Sequence, residues 1–486
     1  MSEYRKKGLG KLAARGALVT ISGQFCKISI QLGGLVILAR LLKPTDYGLM
    51  AMILVIAGIG EVLRDFGLST AAIQSKTLSV DQRNNLFWIN TLIGGFLAAC
   101  LFVCSTSIAT FYGEPQLVEI CKLISLTFLI NGLATQYRAQ LNRELKFSRL
   151  SIIDVLSPGI AVVTAIILAA RGYGVWALVA QQLAQVMSTF ILLVAASKWL
   201  PGPPKRHASM GQLVRNGWNL MNTQIMVYAS RNLDSLIIGQ KYGAEVLGIY
   251  NRAFQLLMLP INQINSPATT LALPILSRLQ SDQTKYDAFL LRGQTILLYV
   301  TAAIFAFSCA NAHALIGFVL GSQWAAAAPL FQILSIGGLF QAAAYTNYWV
   351  FLSKGLTGSN FRFSLLTRSV VILLVSIGAQ WSVEGAAIAV TIGSIFTWMA
   401  GLFWLRRSNA PVMQLFQNGC VAIIGFSLCG LASWISALRI EGSNGLQLLV
   451  GIGGMISGFI VLLLVWPSFR RRAVSIADTR RFLKSS

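Results

Sequence analysis

Acidic residues are scarce in this sequence, and so is charge of either sign. Asp and Glu together number 16 and Lys and Arg 39, so that charged residues make up 11% of the chain. A soluble protein carries about a quarter charged residues, and this scarcity therefore excludes a water-soluble fold. The 55% of hydrophobic residues instead favours a protein that lies within a lipid bilayer.

Residue patterns typical of enzymes and metal sites are also missing from the sequence. The two histidines, His207 and His313, stand apart, and the seven cysteines fall within apolar runs without a C-x-x-C pair. Neither a disulfide framework nor a zinc site is indicated. The sequence has no Walker A motif, so ATP hydrolysis is not expected. We predict a protein that is not an enzyme and has no metal or cofactor.

Long apolar runs dominate what is present. A helix needs about 20 mainly apolar residues to cross the hydrocarbon core. Fourteen segments qualify: 15–42, 47–65, 86–110, 116–136, 148–170, 174–198, 211–240, 247–273, 290–310, 326–351, 362–380, 384–405, 416–437 and 445–466. The sequence therefore predicts an all-α integral membrane protein with about fourteen transmembrane helices.

The basic residues give the orientation of these helices. Of the 39 Lys and Arg, 29 fall in segments on the side of the N-terminus, 5 on the opposite side and 5 within spans. Positively charged loops remain in the cytoplasm, which predicts that both termini are cytoplasmic. Because the basic residues occupy short gaps between apolar runs, they indicate contact with the bilayer and not with nucleic acid.

A short sequence pattern occurs twice, about 200 residues apart. RLLKPTDYGLM at 40–50 follows the first predicted helix, and QKYGAEVLGIY at 240–250 follows the seventh. Gly48 and Gly248 occupy matching positions. Six helices separate the two copies, so the two repeats enter the membrane in the same orientation, which is one common transporter design.

The repeat predicts two pseudo-symmetric lobes around a central cavity. The predicted division is an N-terminal lobe of helices 1–6 (1–205), a C-terminal lobe of helices 7–12 (206–410), and helices 13–14 with a basic cytoplasmic tail (411–486).

Several motifs resemble one family of transporters. They are LARLLKPTDYGLMAM (38–52), DFGLSTAAIQ (65–74), LNRELKFSRLSIID (141–154), GYGVWALVAQQL (172–183), DSLIIGQKYGAEVLGIYNRA (234–253) and LPILSRLQ (273–280). Over roughly residues 10–410 the chain resembles the oligosaccharide flippases of the multidrug/oligosaccharidyl-lipid/polysaccharide superfamily, and most closely their colanic-acid-exporter-like branch.

The resemblance implies a fourteen-helix, two-lobed fold like that of the multidrug exporters of this superfamily. The expected substrate is an oligosaccharide repeat unit on undecaprenyl pyrophosphate, flipped across a bacterial inner membrane by alternating access for surface polysaccharide synthesis. Expected partners are the bilayer, this lipid-linked substrate, and the polymerase and glycosyltransferases of the same pathway.

Cations within the predicted spans are candidates for substrate binding. A charged side chain inside a bilayer faces a cavity or a partner by default. Lys27 shares one face of the first helix with Gln24 and Gln31, and Arg231 lies at a matching depth in the seventh. Two such cations would suit an anionic pyrophosphate. The alternatives are a Lys27 that snorkels or bonds a neighbouring helix, and an Arg231 paired with Asp234.

Further polar residues extend this set of candidates. Arg252 is expected to contact substrate or to snorkel, and Asn222, Gln224 and Asn262 are expected to line the cavity. Asn262 falls in a helix with three prolines, Pro260, Pro267 and Pro274, which would be either broken or curved.

Carboxylates within the spans are candidates for ion coupling. Asp154 in the first half and Asp234 in the second would couple transport to H⁺ or Na⁺, if an ion is used. Asp154 would otherwise tie the helix kinked at Pro158 to a neighbour.

Three smaller clusters have simpler interpretations. Glu119 and Lys122 are expected to pair, and Glu61, Arg64 and Asp65 to be solvated. The aromatic residues Tyr345, Tyr348 and Trp349 favour an interfacial belt over sugar stacking.

Two other functions compete with flipping. A multidrug or small-cation antiporter of the same superfamily would favour an acidic cavity, against the cations at Lys27 and Arg231. A membrane-embedded glycan polymerase or scaffold would need catalytic carboxylates or a long outer loop, and the sequence shows neither.

The predicted topology can be tested by cysteine labelling in intact cells. In a variant that lacks the native cysteines, a cysteine near residue 145 or 206 should resist membrane-impermeant thiol reagents, because both positions are predicted to be cytoplasmic. A cysteine near residue 113 or 322 should react. The opposite pattern would overturn the orientation.

Overall fold

The computed structural model describes residues 2–65, 79–205, 211–438, 440 and 442–477. Side chains are described from residue 22 onward, except at 65, 211–223, 226–227 and 229–231. The described residues form helices and no strand, and the chain divides into two compact units, Met1–Gly248 and Ile249–Ser486. The predicted lobe boundaries follow helix number and differ from this division, so they stay a prediction.

The first unit consists of seven helices and the beginning of an eighth. They are α1 (Ser2–Leu41), α2 (Pro44–Asp65), α3 (Val80–Val103), α4 (Ser105–Tyr112), α5 (Leu117–Arg143), α6 (Phe147–Ala170), α7 (Val175–Ser197) and the first part of α8 (Gly211–Arg278). α1 packs on α6, α3 packs on α5, and α7 packs on both α5 and α6. Phe87, Tyr137, Leu150 and Leu193 form a core where α3, α5, α6 and α7 meet.

The second unit continues α8 and adds eight helices. They are α9 (Gln283–Ala310), α10 (Ala312–Val319), α11 (Ala327–Ser353), α12 (Thr357–Trp381), α13 (Val383–Trp404), α14 (Val412–Leu438), α15 (Asn444–Val465) and α16 (Pro467–Ala477). α9 packs on α11 and α14, α13 packs on α11 and α12, and α15 packs on α14.

The long helices expose apolar side chains where a soluble protein would place polar ones. Leu92, Phe96 and Leu464 are each more than two-thirds exposed. In α15, 11% of the most apolar stretch is buried within the protein. Such a surface is stable against lipid chains and unstable in water, which agrees with the predicted membrane location.

Twelve helices within the described residues are long and apolar enough to cross a membrane. They match twelve of the fourteen predicted segments. The other two segments, 211–240 and 247–273, lie along α8, whose backbone leaves the helical region at Gly243 (φ 82°, ψ −178°). The all-α membrane class is thus confirmed, and the number fourteen is not.

The prolines of α8 do not break the helix. Pro260, Pro267 and Pro274 all lie inside it, and Gly243 is its non-helical position. Glycine tolerates a positive φ because it has no Cβ. The turn therefore falls in the second copy of the repeated sequence pattern and not among the prolines. Of the two predicted alternatives, a broken or a curved helix, the break at the prolines is wrong.

The two copies of the repeated pattern contact each other within the first unit. A Cβ atom added to Gly48 would overlap the carbonyl oxygen of Ala244, and one added to Gly248 would overlap that of Pro44. The contact is reciprocal, because Pro44 and Gly48 match Ala244 and Gly248 at the offset of 200 residues. The start of α2 and the segment after Gly243 can therefore approach this closely only with glycine at both positions.

We expect Gly48→Ala to destabilise the protein. The added methyl would push against backbone, and overpacking of this kind costs about 1–3 kcal/mol. The measurement is the apparent melting temperature of the purified protein in detergent.

The matched control for this change is Gly33→Ala, since a Cβ on Gly33 meets no atom within 4 Å. Alanine is the better helix former, so this variant should melt at or above the wild-type temperature. Equal melting temperatures of Gly48→Ala and Gly33→Ala would contradict the close contact at Gly48.

Candidate functional site

The polar residues predicted on α1 differ in exposure. Gln24 and Gln31 are exposed and Lys27 is half-buried. Within the described part of the chain, Lys27 makes no hydrogen bond or ion pair. α1 packs on α6, where Gly23 and Gly34 face Ser151 and Val162. Lys27 lies four residues after Gly23 and seven before Gly34, and therefore on the same side of the helix. Lys27 therefore borders the contact with α6, and the exposed Gln24 and Gln31 lie further from that contact.

The predicted residues of the first part of α8 are only partly described. Arg231 and Asn222 lie on the helix, but their side chains are outside the described residues. Gln224 is exposed. Asp234 is 9% exposed, and its Oδ1 accepts a hydrogen bond from the backbone N–H of Ser235 at 2.8 Å. Whether Arg231 and Asp234 form the alternative ion pair stays a prediction.

Arg252 is held by neighbours in the second unit. Its Nη1 donates to Oε1 of Gln255, and its guanidinium lies 6.0 Å from the centre of the buried Trp324 ring. These two partners, an amide and an aromatic ring, fix the position of the Arg252 side chain. Asn262 is exposed.

Asp154 of α6 is in an ion pair. Nη2 of Arg138, on α5, donates to Oδ1 of Asp154 at 2.7 Å, and both side chains are more than one-third exposed. The pair ties α6 to α5 four residues before Pro158. This geometry is the one expected of the alternative, in which Asp154 connects its kinked helix to a neighbour, and it leaves ion coupling untested.

Arg64 is the centre of a polar network that the sequence did not predict. Its Nε donates to Glu61 (2.9 Å) and its Nη1 to Thr135 (2.6 Å) and to the carbonyl of Asn131 (3.2 Å). The Arg64 side chain is only 15% exposed, so the expected solvated cluster is wrong for this residue. Asn131 and Thr135, four residues apart in an apolar helix, were the signal for this contact.

The aromatic residues of α11 join a second buried polar group. Trp349 is buried; its Nε1 donates to the hydroxyl of Thr269 at 2.9 Å, and that hydroxyl donates to Tyr345 at 3.1 Å. Asn265, one turn before Thr269, is 2% exposed, and its side-chain amide has no hydrogen-bond partner within the described residues. The expected interfacial belt is therefore wrong for Trp349.

Lys122 and Glu119 form the pair that their spacing predicts. Nζ of Lys122 lies 2.8 Å from Oε1 of Glu119. The prediction is confirmed, and Lys122 thereby becomes a useful contrast to Lys27.

Comparison with known proteins identifies curated relatives that cover most of the chain. Teichuronic acid biosynthesis protein TuaB of Bacillus subtilis is 29% identical over 345 residues, 70% of this chain and 71% of the relative. Lipopolysaccharide biosynthesis protein WzxC of Escherichia coli is 25% identical over 369 residues, 75% of this chain and 74% of the relative.

Solved structures show that the fold is known. The lipid II flippase MurJ in an inward closed conformation superposes with a TM-score of 0.69 at 14% identity, covering 92% of this chain and 99% of that one. An inward-facing multidrug resistance MATE transporter of the MOP superfamily gives 0.64 at 14% identity, covering 82% and 99%. The predicted fold class is confirmed.

The model of one protein family, described as polysaccharide biosynthesis protein, matches residues 37–329. This match spans more than half of the chain and includes all six motifs on which the resemblance rests. The chain belongs to the polysaccharide biosynthesis protein family.

Proposed function

We propose that the protein is a flippase. It moves an oligosaccharide repeat unit linked to undecaprenyl pyrophosphate from the cytoplasmic to the periplasmic leaflet of a bacterial inner membrane, by alternating access. The observation that carries the proposal is membership of the polysaccharide biosynthesis family, with relatives named for teichuronic acid and lipopolysaccharide biosynthesis. The fold of the lipid II flippase supports it. Flipping needs no covalent step.

The same fold occurs in multidrug transporters, so fold alone does not separate the flippase from an antiporter. The family match and the cations favour the flippase. A pyrophosphate is an anion, and an open basic side chain inside the membrane would attract it, whereas it would repel the small cations that an antiporter carries.

Lys27 is the cation that the described geometry favours for the substrate. It is half-buried on α1 beside the contact with α6 and between two exposed glutamines, and it makes no ion pair or hydrogen bond within the described residues. A lysine without a protein partner can offer all three N–H donors to a phosphate. Arg231 stays the proposed counterpart on α8, and Arg252, already bound to Gln255, is the weaker candidate.

The location and the partners are part of the proposal. The helices that can span a membrane support a multi-pass protein. The basic residues on one side support cytoplasmic termini. The polymerase and glycosyltransferases of the same pathway are the expected partners, because flipping connects assembly of the unit in the cytoplasm with its polymerisation outside.

Deletion of the gene in the native host should abolish the surface glycan and leave the lipid-linked unit on the cytoplasmic leaflet. Wild-type protein should restore export, because the chain itself forms the path for the headgroup. The measurement is surface glycan per cell together with the amount of membrane-inserted protein. Normal export in the deletion strain would contradict the proposed function.

In the same assay, Lys27→Ala should lower export by about tenfold, the effect of losing one charge-assisted hydrogen bond. Lys27→Arg should retain more export than Lys27→Glu. Lys122→Ala is the matched control, because Lys122 is already paired with Glu119. If a well-inserted Lys27→Ala, Arg231→Ala double variant exported glycan at the wild-type level, neither cation would belong to the proposed site.

Ion coupling through Asp154 makes a second prediction. A coupling carboxylate must change its charge state during transport, which here would break its bond to Arg138. A pH or Na⁺ gradient should therefore speed flipping of the lipid-linked unit by wild-type protein in proteoliposomes and have no effect on Asp154→Asn.

Asp81→Asn is the control for this change. Asp81 pairs with Lys205 at the start of α3, so its variant should respond to the gradient as wild type does. Equal acceleration of wild type and Asp154→Asn would exclude Asp154 as the coupling site, and no acceleration of either would exclude coupling itself.

A further inference from the structure

A cavity lies beside the N-terminal end of α3. It has a volume of about 130 Å³ and is lined by Ser79 and Arg83 at the α3 end and by Gln136, Gln140 and Arg143 of α5. A water molecule occupies about 30 Å³ of liquid, so the cavity has room for a group of several heavy atoms.

Three polar atoms of these lining residues lack partners. Gln136 is 1% exposed, and its Nε2 makes no hydrogen bond within the described part of the chain. The same holds there for Nε of Arg83 and Oε1 of Gln140. Leaving buried polar groups unpaired costs free energy. Two donors and one acceptor in one cavity therefore indicate a ligand that accepts two hydrogen bonds and donates one.

The charges around the cavity favour an anion. Arg83 and Arg143 are both cationic, whereas the single lining carboxylate, Glu144, is in an ion pair with Lys146. Hydrogen bonds from Lys146 and Gln140 lower the pKa of Glu144, so this pair stays charged and contributes no net charge. The N-terminus of α3, capped by Ser79, adds partial positive charge.

The Arg83 side chain is fixed before any ligand arrives. Its guanidinium lies 4.4 Å from the centre of the Trp199 ring, and Trp199 packs against Phe87 and Tyr137. A cation held on an aromatic face loses little conformational entropy on binding.

Two exposed apolar side chains lie at the cavity or next to it in sequence, which favours a lipid over a soluble anion. Val80, which lines the cavity, is 62% exposed, and the neighbouring Leu145 is 64% exposed. Both lie at the ends of membrane-spanning helices, where acyl chains begin below the headgroups.

We propose that this cavity binds the headgroup of an anionic phospholipid that carries free hydroxyl groups, such as phosphatidylglycerol. Arg83 and Gln136 donate to the phosphate, and Oε1 of Gln140 accepts from a headgroup hydroxyl. The site is separate from the proposed transport function, since it lies outside the Lys27 face and needs no transported substrate.

Native mass spectrometry of the purified full-length protein, titrated with phosphatidylglycerol, tests the site. Arg83→Gln and Gln136→Leu should each lower lipid occupancy by about tenfold, the effect of one lost hydrogen bond to a charged group. Lys205→Gln is the matched control. It removes one positive charge at the same end of α3, where Lys205 pairs with Asp81, and should leave occupancy unchanged.

Gln136→Leu also separates a ligand site from a structural role. Replacing a buried, unpartnered amide by an apolar side chain should keep or raise the melting temperature without lipid, while phosphatidylglycerol binding falls. This variant remains decisive even if Arg83→Gln does not fold.

Three binding results and one displacement result would overturn the proposal. The binding results are wild-type phosphatidylglycerol occupancy in Gln136→Leu, an equal loss in Lys205→Gln, and equal binding of phosphatidylethanolamine or phosphatidylcholine. Displacement of phosphatidylglycerol by an equal concentration of glycerol 3-phosphate would identify a soluble phosphate as the ligand and reject the lipid. None of these results depends on whether the protein flips glycans.

Discussion

The hydrogen-bonding requirement of the backbone in lipid governs this structure. The hydrocarbon core offers no partner for N–H or C=O groups, so each must be bonded within its own segment. Helices such as α6 and α15 meet this requirement over more than 20 residues each. With the backbone satisfied, apolar side chains face lipid and the interior is available for polar groups.

Helix contacts in the first unit depend on small residues and on paired charges. Gly48 and Gly248 let two backbones approach closely. Arg138 on α5 is paired with Asp154 on α6. Arg64 on α2 is paired with Glu61 on the same helix and also donates a hydrogen bond to Thr135 on α5. An unpaired charge inside a membrane is costly, so these pairs stabilise the helix arrangement. Lys27 is half-buried and makes no ion pair within the described residues, and this difference from the paired charges makes it a candidate for function.

The fold alone does not determine which substrate the protein moves. Superposition on a lipid II flippase and on a multidrug transporter shows that one helix arrangement serves very different cargo. Substrate choice must then depend on particular side chains and on the charge around them. The same dependence on side chains applies to the proposed lipid site. There Arg83, the amide donor of Gln136 and the amide acceptor of Gln140 would select a headgroup through charge and hydrogen bonding.

The sequence by itself determined the helical membrane class, most helix positions and the pair Lys122–Glu119, because hydropathy and helical spacing are local properties. It also placed Gly48 and Gly248 at equivalent positions. Only the tertiary structure showed that these glycines face each other's segments, that Asp154 bonds Arg138 and that Arg64 is buried. The same holds for the amides of Gln136 and Asn265, which are unpartnered within the part of the chain that the structure describes. Contacts between helices join residues far apart in the chain, and no local pattern specifies which faces meet.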